Sequence, residues 1–287
     1  MRKMSDRKDM MFSAKDRVWN LSEKALVMGV INVTPDSFSD GGEYLDPHRA
    51  QARAIQFERD GADILDLGAE SSRLGAAAVS WEEELRRLLP VLKAVREVTD
   101  LPVSIDTTKS RVADEMLRNG ACMINDVSGL RADPAMPAVI ACHQAGIILM
   151  HRRGDSLTMQ EKTQYGDLIF EIKRELKESI DTAIDAGISY DRMAVDPGIG
   201  FAKTKSQNLS LIRWLEEFLE FELPIVIGVS RKSFIGEITK TSPKERVFGT
   251  AAAVALSVFN GAKIIRVHDV KEMREVVEVT EAVLKAT

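Results

Sequence analysis

The chain has 287 residues, 45% of them hydrophobic and 29% charged, with a formal net charge of −5. That make-up suits one globular domain near the ~250 residues common among barrels, and it excludes a general affinity for nucleic acid, whose phosphates are bound through clustered Lys and Arg. No apolar run reaches the roughly 18 residues of a membrane span and the start lacks a secretory core, so a cytoplasmic setting without membrane contact is expected.

The residues before Leu26 are charged and weakly periodic. They are expected to form an N-terminal extension over 1–25, either loose or seated as a plug beneath the domain that follows over 26–287. From there short runs rich in Val and Ile alternate with amphipathic stretches. Strands are expected at 27–32, 63–67, 102–105, 122–125, 146–150, 193–195, 224–229 and 263–267. Helix starts are marked by Asp46 before Pro47 and Asp133 before Pro134, and by the reciprocal capping patterns Ser80 with Glu83 and Asp269 with Glu272. Leu85, Leu88, Leu89, Leu92 and Val95 repeat at helical spacing around Pro90, which should bend that helix. Cys122 and Cys142 lack metal-type spacing and read as reduced and structural. Eight β/α units fit an α/β fold of the single-domain (β/α)8 barrel type better than an open sheet, which stays compatible with the count alone.

Barrel active sites form where the strands end. Here the ends deliver Asn32, then Glu70 to Arg73, Asp106 to Lys109, Asn125 and Asp126, His151 to Arg153, Asp196, Ser230 to Ser233, and Arg266 with His268 and Asp269. Any one of these is explained as a cap or a turn former. Polar groups at all eight ends are not, because a layer buried for packing alone is apolar. The pattern points to a ligand-binding site in the mouth that these ends form. The first two β/α loops are long, with Gly41, Gly42 and Gly75 as candidate hinges, and read as binding loops that carry Asp40 and Arg73.

The motifs MGVINVTPDSFSDGG (28–42), DLGAESSR (66–73), SIDTTKSRVA (104–113), INDVSG (124–129), VDPGIGFAKT (195–204), IGVSRKSFIG (227–236) and RVHDV (266–270) resemble those of the dihydropteroate synthases, in order, on successive units. The resemblance implies a transferase of folate biosynthesis, a sulfonamide target, that joins p-aminobenzoate to 6-hydroxymethyl-7,8-dihydropterin pyrophosphate and releases pyrophosphate. By the same resemblance Asp106, Asn125, Asp196 and Lys232 hold the pterin, with Met150, Phe201 and Gly228 as walls and Ser72 beside them. Asn32, Arg266 and His268 match the pyrophosphate site, with Mg²⁺ held chiefly by the phosphates and Asn32. Phe38, Arg73, Leu74 and Ser233 match the p-aminobenzoate pocket, while Asp106, Lys232, Asp40 and Arg73 carry the catalytic roles. A homodimer through helices opposite the active-site mouth is also implied.

One position departs from the family's pattern, which follows the second-loop arginine with proline, whereas this chain has Leu74. Leucine should alter loop stiffness and the size of the p-aminobenzoate pocket. Two other readings share parts of the pattern. A corrinoid-dependent pterin methyltransferase uses the same barrel but has no need of the SRKS lysine or the RVHD arginine and histidine. Against a catalytically silent synthase-like paralogue stands the retention of every matched polar position, and Leu74 is the one feature that leaves it open.

Overall fold

The computed structural model describes residues 9–33, 47–70, 75 and 78–286. The chain first forms a hairpin of β1 (Met11–Ala14) and β2 (Arg17–Asn20), turning at Lys15 with φ 53°. Eight strands then alternate with helices: β3 (Leu26–Asn32), α1 (Pro47–Arg59), β4 (Ile64–Gly68), α2 (Trp81–Arg96), β5 (Val103–Asp106), α3 (Ser110–Arg118), β6 (Met123–Asp126) and α4 (Met136–His143). The series continues with β7 (Gly146–Met150), α5 (Leu168–Asp185), β8 (Met193–Asp196), α6 (Lys205–Arg213), β9 (Ile225–Ile227), the pair α7 (Ser233–Thr239) and α8 (Val247–Phe259), β10 (Ala262–Val267) and α9 (Val270–Lys285). Strands β3 to β10 pair in parallel and close, β10 on β3, into the expected (β/α)8 barrel.

Strand parity divides the core. Leu26, Met28, Ile64, Met123, Ile148, Ala194, Val226 and Ile264 face inward, while their neighbours Val27, Leu65, Leu67, Val103, Ile105, Ile147, Val195, Ile225 and Ile265 pack under the helices. The hairpin seals the lower end. Phe12, Ala14 and Leu21 are fully buried in the inner cluster, and Lys15 donates its backbone N–H to the Gln144 carbonyl at 2.9 Å. Gly146 is required there, because a Cβ would stand 2.9 Å from that of Ala14. Residues 11–21 therefore supply a plug, whose periodicity is too short to read beside its charges.

Some helix starts differ from the expectation. Ser80 accepts from the Glu83 N–H at 3.3 Å, but the Glu83 carboxylate turns to Arg86 and Arg87. Asp133 takes the Ser110 N–H at 2.8 Å and so serves α3 as well as its own turn. Asp269 makes no side-chain cap and pairs instead with Arg231. Helix α2 continues through Pro90 as far as Arg96.

Candidate active site

Two residues beyond the inner apolar layer, the same strand faces turn polar. From Ile64, Met123, Ala194 and Ile264 this step leads to Asp66, Asn125, Asp196 and Arg266, and from Ser104 to Asp106. Parallel register aligns Asn32 with Gly68, Gly68 with Asp106 and Asp106 with Asn125 across four neighbouring strands. Met150 is aligned with Asp196 in the same way. The barrel's own geometry thus gathers the expected residues into one mouth.

Arg266 joins them. Its Nε donates to Asp66 Oδ2 at 2.6 Å and a terminal nitrogen to Asp106 Oδ2 at 2.8 Å, while Asn125 donates to Asp66 Oδ2 at 3.3 Å. Burial alone would lower the Arg266 guanidinium, but Asp66 and Asp106 outweigh it and raise it. The other oxygen of Asp66 is buried without a donor among the described residues and presents an acceptor. Burial pushes Asp106 up to about 7 against the pull of Arg266, and Asp196 up to about 6 although the Gly198 N–H bonds it at 2.7 Å. Two carboxyl groups therefore titrate close to neutrality in a mouth where a ligand's N–H donors would favour their ionised form.

The other wall comes from the loops after β8 and β9. Lys232, at the cap position of α7, lies with Nζ 4.2 Å from the centroid of the Phe201 ring. Phe201 follows Gly198 and Gly200, both in the left-handed region at φ 74° and 83°. At Gly198 a Cβ would fall 2.0 Å from the His151 carbonyl. Gly228 follows β9 and Ser233 stands exposed at the first position of α7. Beyond Arg266, His268 pairs Nδ1 with the Ser230 hydroxyl at 3.0 Å, and its N–H donates to the same oxygen at 3.2 Å. Burial and the neighbouring Arg266 lower the His268 imidazole to about 3, so in the protein alone it is a neutral hydrogen-bonding group and not a second cation.

Asn32, Asp106, Asn125, Met150, Asp196, Phe201, Gly228, Lys232, Ser233, Arg266 and His268 are thus all placed at the strand ends or in the loops that leave them. Phe38, Asp40, Ser72, Arg73 and Leu74, with the hinges Gly41 and Gly42, lie outside the described residues. Asp66 was not among the expected residues, and parity finds it: counted in twos from Ile64, it falls inside the barrel. Asp126 has the opposite parity and bonds the backbone of Ser128 and Leu130. Lys109 likewise holds structure, pairing with Glu70 and, at 2.6 Å, with Glu84. A cavity of about 110 Å³ opens beside Asp106, lined also by Glu70, Glu84, Thr107 and Arg152.

A parallel barrel with carboxylates, an amide and a guanidinium turned into its mouth has the features of an enzyme that reads a flat, donor-rich heterocycle. The pterin binding enzyme family matches residues 28–268. A dihydropteroate synthase of Synechocystis sp. is 46% identical over 266 residues, 92% of this chain and 92% of its own. The dihydropteroate synthase of Yersinia pestis, solved with a sulfonamide drug complex, superposes with a TM-score of 0.91 at 39% identity, covering 96% of this chain and 100% of that one. That of Xanthomonas albilineans, solved with 4-aminobenzoic acid, gives 0.91 at 39% identity over 98% and 100%. The chain belongs to the dihydropteroate synthase family of pterin-binding enzymes.

Proposed function

We infer that this chain catalyses the dihydropteroate synthase reaction of folate biosynthesis: the amine of p-aminobenzoate attacks the methylene carbon of 6-hydroxymethyl-7,8-dihydropterin pyrophosphate. The carbon–oxygen bond to pyrophosphate breaks, a carbon–nitrogen bond forms, and the amine loses a proton. The observation that carries this reading is the hydrogen-bonded set Asp66, Arg266, Asp106 and Asn125 inside the barrel mouth. Incubating the protein with both substrates and Mg²⁺ and measuring dihydropteroate tests it.

In this reading Asp106, Asn125 and Asp196 accept from the amino and ring N–H groups of the pterin, and Lys232 donates to its carbonyl side. Met150, Phe201 and Gly228 give the slot its walls, and Ser72 is assigned to the pterin by the family resemblance. Arg266, held by its two carboxylates, stabilises charge growing on the departing pyrophosphate, and His268 adds a neutral donor. Ionised Asp106 stabilises positive charge that develops on the methylene carbon as the bond breaks. Phe38, Arg73, Leu74 and Ser233 are assigned to p-aminobenzoate, and Asp40 to catalysis, by the family resemblance.

Among the described residues no group of three or more His, Cys, Asp or Glu side chains is arranged to hold a metal. An amide oxygen at Asn32 fits Mg²⁺ that keeps its waters and takes most of its ligands from phosphate. When bound, the ion would supply charge neutralisation on the leaving group.

The partner implied is a second copy of the chain. Phe248 on α8 is 86% exposed, with Leu256 and Phe259 also exposed, and Val279 and Val283 lie exposed on the adjoining α9. Such apolar side chains on two packed helices favour association. Sedimentation equilibrium that finds only monomer contradicts this. A cytoplasmic setting is supported by Cys122 and Cys142, which stand unpaired. No helix among the described residues is long and apolar enough to cross a membrane. Sulfonamide inhibition is expected by analogy with the Yersinia pestis relative.

A further inference from the structure

Behind the wall formed by Phe201 and Lys232 lies a buried chain of ionisable groups that the reaction as described does not use. Lys203 is 3% exposed, with Nζ 3.0 Å from His151 Nδ1 and 2.9 Å from the Phe201 carbonyl oxygen. His151 is fully buried and places Nε2 3.0 Å from Glu175 Oε2. Glu175 also accepts from Arg153 Nε at 3.0 Å, and that guanidinium reaches Glu171 at 2.7 Å and lies 4.1 Å over the Tyr165 ring.

The proton positions follow from the partners. A carboxylate only accepts, so Nε2 carries the proton of His151 and Nδ1 is left to accept from the lysine ammonium. Burial lowers His151 to about 4, which keeps it neutral. Lys203 thus directs two of its three donors to one imidazole and to the carbonyl of a single residue.

Burying an ammonium is costly unless its protons are placed, so a lysine here needs a reason. Starting helix α6 is not that reason, because Thr204 and Gln207 form a complete capping box of their own. The loop that Lys203 holds runs from Asp196 to Ala202 and passes through left-handed backbone at Gly198, Gly200 and Ala202. The Tyr165 hydroxyl donates to the Ala202 carbonyl at 3.1 Å and the Gly200 N–H to Asn208 at 2.7 Å. Between these two ties, Phe201 is fixed by Lys203.

We propose that Lys203 is a positioning residue for heterocycle binding: braced from Glu175 through His151, its ammonium pins the Phe201 carbonyl and so sets the Phe201 ring against Lys232, beside Asp196. The proposal rests on the reading of the barrel mouth as a pterin site. Burial lowers the Lys203 ammonium to about 7 against the pull of Asp196 and Glu175, with Arg153 and Lys232 adding to the lowering. Its charge thus depends on the same carboxylate that meets the ligand.

The test is calorimetric titration of the full chain with 6-hydroxymethylpterin, together with steady-state kinetics, for the parent, Lys203→Met, Lys203→Arg and His151→Gln. Loss of a charged hydrogen bond that acts on ground-state binding should weaken the pterin in Lys203→Met about tenfold and raise the KM of the pterin substrate similarly, with kcat within about threefold. Lys203→Arg, which keeps the charge, should recover part of the affinity. Parental affinity in Lys203→Met overturns the proposal, and so does a loss confined to kcat. If Lys203→Met does not fold by circular dichroism, His151→Gln decides: weakened pterin binding supports the proposal and parental affinity overturns it. A parent that fails to bind 6-hydroxymethylpterin refutes the pterin reading, and the proposal falls with it.

Discussion

Arg266 and Asp66 meet inside the barrel with Nε 2.6 Å from Oδ2, although 200 positions separate them in the chain. The first polar inward position of β4 and that of β10 are linked across the intervening β3, and Asp106 takes the other arm of the guanidinium. A cation that would stabilise a departing pyrophosphate is thus oriented by two carboxylates. Asp66→Asn should keep the shape, weaken the hold on Arg266 and cost about 2 kcal/mol, near the middle of the range for a hydrogen bond to a charged group. Urea unfolding reads the stability. The KM for the pterin substrate should rise with it, and unchanged values of both contradict the role given to Asp66.

Lys232 lies over the Phe201 ring and is assigned to the carbonyl side of the heterocycle. Lys232→Ala removes that donor and its contact with the ring, so the affinity for 6-hydroxymethylpterin should fall at least about tenfold. Calorimetry measures it, and parental affinity would refute the assignment.

Asp106 and Asp196 have folded pKa values of about 7 and about 6, both raised by burial. Their ionised forms accept on both oxygens and more strongly from ligand N–H donors than the protonated forms do, so pterin affinity should weaken roughly tenfold or more from pH 8 to pH 5. Stability runs the other way. Against an unfolded value of about 3.9, these two groups contribute stability that is fully present below that pH and is lost as pH rises through about 6 and 7. Binding titrations across the range test the first effect, and a flat profile contradicts it.

The hairpin plug is a packing element. Phe12 is fully buried in the inner cluster and its ring stacks on Trp19 at 5.7 Å. Phe12→Ala should cost about 3 to 4 kcal/mol by opening a cavity at the base of the barrel. Its effect on pterin affinity should be small, since the mouth lies at the opposite end. A destabilisation below about 1 kcal/mol would show that the hairpin does not seal the core.

The barrel was legible because each strand is an apolar run followed by a helical stripe, and the site because Asp106, Asn125 and Asp196 close or follow those runs and Arg266 stands in the RVHDV motif. Asp66 escaped notice because it sits within the run DILDL and not after it, and only counting in twos from Ile64 reveals its direction. Lys203 and His151 look like ordinary loop polars in sequence; their joint burial arises from the contact between the β7 and β8 loops, which no local pattern encodes. The cap expected at Asp269 went elsewhere for a related reason, while Asp133 caps its own turn and a second helix as well. Asp269 pairs with Arg231, and Asp133 uses one oxygen for the Ala135 N–H and the other for the Ser110 N–H.

The most direct measurement is a turnover assay of the full chain with 6-hydroxymethyl-7,8-dihydropterin pyrophosphate, p-aminobenzoate and Mg²⁺. Dihydropteroate and pyrophosphate should appear in equal amounts, and omitting p-aminobenzoate should abolish dihydropteroate. Folded protein that binds 6-hydroxymethylpterin yet yields neither product would contradict the synthase account and point to the silent paralogue.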